Sequence, residues 1–388
     1  MFSKELLSKF NELETPFYYY DLDLLKKTLE ELNKESSKLN YKIHYALKAN
    51  SNDRILKLIS DAGLGADCVS ANEIVKAIST GFKNDEIVFA GVGKSDKEIR
   101  TALENNIVCF NVESIQELEV INSIASAQNK IASIAIRINP NVDANTHHYI
   151  TTGLEENKFG INTWELPEVL EKLSVLKSIK LIGLHFHIGS QITDMNVFKG
   201  LCIRINEIQN WFDEHNIQIK NINVGGGLGI NYEDPDSELI PDFKSYFRVF
   251  EKFLEQRPNQ EVHFEIGRAI VGQCGSLISR VLFIKEGIST NFAILDAGMT
   301  ELIRPALYQS YHKIENLSNI ENLISNIKYR KYDVVGPICE SSDTFGKSIL
   351  LPEMKRGNLI AIRSVGAYGE VMASNYNLRD KIKSYYSQ

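Results

Sequence analysis

From about residue 41 to residue 268, short apolar runs alternate with stretches whose apolar positions recur at helical spacing. The runs predict strands at Lys42–Leu47, Gly65–Val69, Glu86–Ala90, Val108–Val112, Ala132–Asn139, Leu181–His187, Ile219–Val224 and Val262–Ile266. The stretches between them predict helices such as Asn52–Ile59, Asn72–Ser79, Asp96–Glu104, Ile115–Ser126, Leu166–Leu173 and Leu201–His215. Eight strands separated by helices are the pattern of a (β/α)8 barrel. A doubly wound sheet is the alternative, but such sheets seldom need eight regular units.

Past about residue 269 the pattern changes. Gly275–Ile284, Phe292–Asp296, Arg330–Val335, Gly346–Leu350 and Leu359–Ser364 read as strands with few helices between them. The early segment TPFYYYD also reads as a strand and is expected to pair with this C-terminal part. The expected fold is therefore α/β: a (β/α)8 barrel over residues 24–268, and a β domain made of residues 1–23 and 269–388.

Composition narrows the function. The chain of 388 residues carries a net charge of −7 and is 43% hydrophobic, which gives no global electrostatic reason to bind nucleic acid or an anionic membrane. No apolar run is long enough to span a bilayer, and the N-terminal segment lacks the apolar stretch of a secretory signal. Five scattered cysteines without CxxC spacing point to a reducing compartment, and a cytoplasmic location is expected.

Chemistry in such a barrel sits at the C-terminal strand ends. The first strand ends at Lys48 in HYALKAN, and the second near Asp67. The sixth ends in HFHIGSQ with His185, His187 and Ser190; the seventh in NVGGGLGI with Gly225, Gly226, Gly227 and Gly229; the eighth in FEIGR with Glu265, Gly267 and Arg268. Alone, Lys48 would read as a surface lysine and the glycines as a tight turn. His185 and His187, two apart on a strand, would face one side, but no third ligand at suitable spacing makes them a zinc site. Together these residues describe a site for pyridoxal 5′-phosphate. The lysine would form a Schiff base with the aldehyde, the glycines and Arg268 would hold the phosphate, His187 would stack on the ring, and Glu265 would keep the pyridine nitrogen protonated.

The motifs TPFYYYD, YALKAN, GADCVSANEI, HFHIGSQ, VGGGLG, EIGR, RPALYQ, GPICESSD and GAYGEVMASNYN run in one order along the chain. They resemble the fold-type III pyridoxal-phosphate decarboxylases over nearly its whole length. INPNVDANTHHYITTGLEENKFGI, RPALYQ and CESSD favour the subgroup acting on meso-2,6-diaminopimelate. The resemblance implies that Lys48 is the Schiff-base lysine. It implies that His187 stacks on the ring and Glu265 pairs with its nitrogen, while Ser190, Gly227, Gly267, Arg268 and Tyr368 line the phosphate or its approach. Arg304 and Tyr308, with Arg268, would bind the distal carboxylate of the substrate. Glu340 would hold the distal amino group, and Cys339 would donate the proton. The resemblance further implies a homodimer whose active sites lie at the subunit interface. One departure is EIGR in place of the family's EPGR, so Ile266 lacks proline's fixed φ. Decarboxylases of ornithine, arginine or carboxynorspermidine are the nearest alternatives, and a non-catalytic regulatory binder is an alternative of another class.

Overall fold

The computed structural model describes residues 2–142, 158–319 and 328–387. It divides into two compact units. One comprises Thr28–Gly229 and Asp242–Arg268; the other comprises Met1–Lys27, Ile230–Pro241 and Ala269–Gln388. Much of the segment INPNVDANTHHYITTGLEENKFGI lies outside the described residues.

The chain opens with a helix (Lys4–Glu12) and strand β1 (Phe17–Tyr20). Eight parallel strands follow and close into a barrel: β2 (Lys42–Ala46), β3 (Gly65–Cys68), β4 (Ile87–Phe89), β5 (Cys109–Val112), β6 (Ala132–Arg137), β7 (Ile179–His185), β8 (Asn221–Asn223) and β9 (Glu261–Ile266). Each of the eight expected strands is present. The chain reverses between helix and strand on a residue in the left-handed region, supplied by Asn40, Gly63, Gly81, Asn106, Asn129 and Asn216. Glycine and asparagine adopt that conformation most cheaply, so they stop these helices at a fixed place. Helix starts are fixed as firmly. Ser70 and Ser114 accept the backbone N–H of Glu73 and Glu117, and Ser95 forms a capping box with Glu98.

The helix Phe243–Phe253 is not among those expected from the pattern, although its buried residues Phe243, Tyr246, Phe247 and Phe250 recur at helical spacing. These rings pack on Phe264 of β9, with centroids 5.0 Å (Phe247) and 4.9 Å (Phe250) away. Each buried aromatic of this kind contributes about 1.5–3 kcal/mol. Because Phe264 faces the helices, its strand neighbours His263 and Glu265 face the barrel interior.

The β-rich unit holds β10 (Gly275–Glu286), β11 (Asn291–Leu295), β12 (Ile314–Asn316), β13 (Tyr329–Val335), β14 (Thr344–Pro352), β15 (Leu359–Ile362) and β16 (Lys383–Tyr386). Strand β1 runs antiparallel to β10 and parallel to β16, which bears out the pairing expected for TPFYYYD. Phe17 and Tyr19 pack with Leu7 and Phe10 of the first helix, and this apolar cluster fixes the early strand. The short strands β12 and β16 escaped the sequence pattern.

Low in the barrel, His44 of β2 and His263 of β9 stack 5.2 Å apart. The Glu86 carbonyl can only accept, so His44 donates to it through Nδ1 (3.1 Å) and accepts from His263 Nδ1 at Nε2 (2.9 Å). Gly65 makes room, because a Cβ there would lie 2.6 Å from His44 Nδ1. Burial lowers the pKa of His44. Burial, then the neighbouring His44 and Lys42, which disfavour a second charge there, take His263 to about 3. Both rings are neutral in the fold, whereas in the unfolded chain they titrate near 6.5. Below that value the unfolded chain takes up protons that the fold refuses. Stability therefore falls as pH drops from about 6.5, by up to about 1.4 kcal/mol per pH unit for each ring. A His44→Gln/His263→Gln double variant should lose less of its urea midpoint than wild type between pH 7 and pH 5. Equal losses in the two proteins would contradict this account.

Candidate active site

Lys48 lies in the turn Leu47–Ala49 directly after β2. Its neighbours Leu47 and Ala49 are buried, so the turn is anchored while the lysine side chain stays partly open. Its Nζ is 3.4 Å from Oδ2 of Asp67, a buried residue of β3. Asp67 Oδ1 has no hydrogen-bond partner among the described residues.

Glu265 occupies the barrel interior. Its Oε1 accepts from the side-chain amides of Asn111 (3.0 Å) and Asn223 (2.8 Å), and its Oε2 from His185 Nε2 (2.9 Å). Asn223 is itself oriented, because its Oδ1 accepts from the Gly225 N–H at 2.9 Å. Burial alone would raise the Glu265 carboxyl, but His185, Lys48 and His187 hold it well below the usual carboxylate range. For Asp67 the balance runs the other way. Burial, then the Glu265 charge, push it up to about 6 against the pull of Lys48 and His185. Two nearby carboxyls cannot both hold a buried charge cheaply, and the one with three donors keeps it.

The strand β7 ends at His185, so His187 does not share it, contrary to the expectation that both face one side of a strand. The cause is the glycine turn beside it. Gly225 has φ +72°, and a Cβ on it would lie 2.2 Å from the Phe186 carbonyl oxygen; on Gly226 a Cβ would lie 2.1 Å from the Glu265 carbonyl oxygen. Only glycines let these backbones approach so closely. His187 Nδ1 accepts from the Gly226 N–H at 3.3 Å. Burial, then Arg137 and Lys48, lower its pKa well below the ordinary value and keep the ring neutral.

Arg268 is buried and donates to Ser190 Oγ at 2.9 Å, so two residues expected at a phosphate are joined. Gly267 lies between Glu265 and Arg268 in the chain, close enough to the turn after β2 that a Cβ would sit 2.9 Å from Ala49 Cβ. Ile266 ends β9 in regular register with Tyr45, so the strand passes through the departure from EPGR unbroken. Gly227, also at positive φ, closes the glycine turn. Asn111, Asn223, His185, Arg137 and Glu113 were given no role from sequence. Arg137 bonds Glu113 at 2.8 Å, and Glu113 also accepts from the N–H groups of Gly91 and Gly160. The signal that could have found them is a polar residue at an inward position of an apolar strand.

The other expected residues belong to the β-rich unit. Arg304 starts the short helix Arg304–Tyr308, which also carries the half-buried Tyr308. Cys339 is exposed, while the other four cysteines are buried. Its loop is tied by Asp343, whose carboxylate accepts from Met299 N–H (2.6 Å) and Ile338 N–H (2.7 Å). Glu340 bonds the Tyr376 hydroxyl, which raises that phenol. Tyr368 takes a left-handed backbone (φ 59°), a conformation that is costly for a bulky residue and common at functional sites. The C-terminal end of the barrel thus brings together the charged carboxylate of Glu265, the neutral imidazole of His187, a glycine turn and Lys48, which fit pyridoxal 5′-phosphate.

Residues 22–272 match the family model for the pyridoxal binding domain of pyridoxal-dependent decarboxylases. The chain is 57% identical to a diaminopimelate decarboxylase of Bacteroides thetaiotaomicron, over 98% of this chain and 97% of the relative. It is 41% identical to one from Helicobacter pylori, over 98% and 92%. The solved structure of diaminopimelate decarboxylase from Helicobacter pylori complexed with L-lysine superimposes with a TM-score of 0.91 at 40% identity, covering 98% of this chain and 94% of that one. An arginine decarboxylase of Paramecium bursaria Chlorella virus, bound to agmatine, has a TM-score of 0.86 at 20% identity, covering 99% of both chains, a likeness of fold alone.

Proposed function

The chain belongs to the pyridoxal-dependent decarboxylases, and from that premise we propose that it converts meso-2,6-diaminopimelate to L-lysine and carbon dioxide, the last step of lysine synthesis. The observation that carries the chemistry is Glu265, a buried carboxylate kept charged by three donors in the barrel whose first strand leads into Lys48. The substrate rests on likeness to diaminopimelate decarboxylases along nearly the whole chain.

Bound pyridoxal phosphate supplies an electron sink for the carbanion that decarboxylation leaves. Lys48 would hold its aldehyde, and Glu265 would keep a proton on its ring nitrogen. His187, held neutral, would present a flat face to the ring without repelling that proton. Ser190, Gly227, Gly267, Arg268 and Tyr368 would receive the phosphate. Arg304 and Tyr308, with Arg268, would clamp the distal carboxylate, and Glu340 the distal amine. That clamp decides which carboxylate stands where it can leave. Cys339 Sγ would then give the α-carbon its proton. Ornithine and arginine offer no distal carboxylate, so they would leave Arg304 without its partner. Purified protein assayed in parallel should release carbon dioxide from meso-diaminopimelate and not from ornithine or arginine. Preference for either of those would overturn the substrate assignment.

The working form is proposed to be a cytoplasmic homodimer in which Lys48 of one chain serves with Cys339 of the other. No helix among the described residues is long and apolar enough to cross a membrane. Lys48→Ala and Cys339→Ala chains should each be nearly inactive, yet mixing them should restore roughly a quarter of wild-type activity, because each mixed dimer holds one intact site. No recovery, with subunit exchange verified, would contradict the shared site.

A further inference from the structure

Arg304 is buried, and its guanidinium is held by side chains on two other segments of the β-rich unit. Its Nη1 donates at 3.0 Å to the Tyr232 hydroxyl and at 3.0 Å to His312 Nε2, and Nη2 lies 3.4 Å from Ser310 Oγ. The guanidinium also lies 5.1 Å from the Tyr232 ring centroid, and that ring meets His312 edge-on at 82°. Arginine beside histidine is an uncommon pairing, because the histidine must be neutral and must turn a lone pair toward the cation.

The structure fixes that tautomer. His312 Nδ1 is 2.9 Å from the backbone carbonyl of Arg363, which can only accept, so Nδ1 carries the proton and Nε2 is left to accept. Arg363 is anchored in turn by Glu315 (2.7 Å) and Asp236 (2.9 Å). Asp236 and Tyr232 both lie on Ile230–Pro241, the segment that joins the β-rich unit from between β8 and the helix Phe243–Phe253. One ion-paired arginine therefore sets both the loop that carries Tyr232 and the ring that faces Arg304.

We propose that Tyr232 and His312 are positioning residues that set the plane of the Arg304 guanidinium, and through it the recognition of the distal carboxylate. Both Nη1 hydrogens are engaged, so the fork cannot rotate about its long side chain. A carboxylate meets it in one orientation without the entropy of ordering a mobile arginine. This inference rests on the reading that Arg304 binds that carboxylate.

The test uses cofactor-loaded enzyme titrated calorimetrically with L-lysine, the product that retains this carboxylate. Tyr232→Phe keeps the ring beneath the guanidinium and removes only the hydroxyl. Its dissociation constant for L-lysine should rise roughly tenfold, as expected for one hydrogen bond of a charged donor. His312→Phe should weaken binding at least as much, and His312→Gln, which retains an acceptor, should recover part of the loss. Cofactor absorbance and melting midpoint should be unchanged in Tyr232→Phe. L-Lysine binding within twofold of wild type in Tyr232→Phe and His312→Phe, while Arg304→Ala abolishes it, would overturn the inference and leave the role of Arg304 standing. Weaker binding in Tyr232→Phe that comes with cofactor loss or a lowered melting midpoint would also overturn it, in favour of a structural role. Wild-type binding in Arg304→Ala would remove the reading beneath it, and the inference would fall with it.

Discussion

A single buried negative charge, the Glu265 carboxylate, is the constraint around which the barrel interior is arranged. A carboxylate out of water is costly unless donors surround it. Here the donors come from three different strands: Asn111 on β5, His185 on β7 and Asn223 on β8. The charge can persist only if those strands keep their register, so closure of the barrel and the state of its carboxylate are one requirement. Asp67 shows the contrast. With one long contact to Lys48 and an orphaned oxygen, it is the carboxyl that yields, pushed up to about 6 by burial and then by Glu265.

The β-rich unit uses the opposite charge in the same manner. Arg304 is a buried cation set by neutral partners, Tyr232 and His312, and the ion pairs of Arg363 stand behind them. Cys339, by contrast, sits exposed on a loop whose shape is fixed one step away, by the buried carboxylate of Asp343. In each unit a charged side chain proposed to meet ligand, Glu265 or Arg304, is held by residues given no ligand contact of their own.

Most of the barrel strands were legible because the apolar run follows a glycine or asparagine that reverses the chain at positive φ. Lys48, His187, Glu265 and Arg268 were legible because they lie at or just past strand ends, where barrel chemistry gathers. The helix Phe243–Phe253 was missed although its period is clear. The segment Ile230–Pro241 interrupts the alternation just before it and packs in the other unit, which no local pattern announces. Asn111 and Asn223 were missed for a different reason. An asparagine at the end of an apolar strand reads locally as a turn residue, and only the register of β5, β8 and β9 brings both to one carboxylate. The roles of Tyr232 and His312 depend on the contact of Tyr232 with Arg304, 72 residues away, and on a tautomer set by a backbone carbonyl, neither of which a sequence displays.

The central claim is that Glu265 stays ionised inside the barrel and thereby holds a proton on the ring nitrogen of the cofactor. It is tested most directly by nitrogen NMR of the enzyme loaded with pyridoxal phosphate labelled with 15N in the ring. The account predicts a pyridinium signal that persists from about pH 6 to about pH 9, well above where Glu265 would take up a proton, and gives way to the neutral-pyridine position in Glu265→Gln. A neutral-pyridine signal in the wild-type enzyme across that range would contradict it.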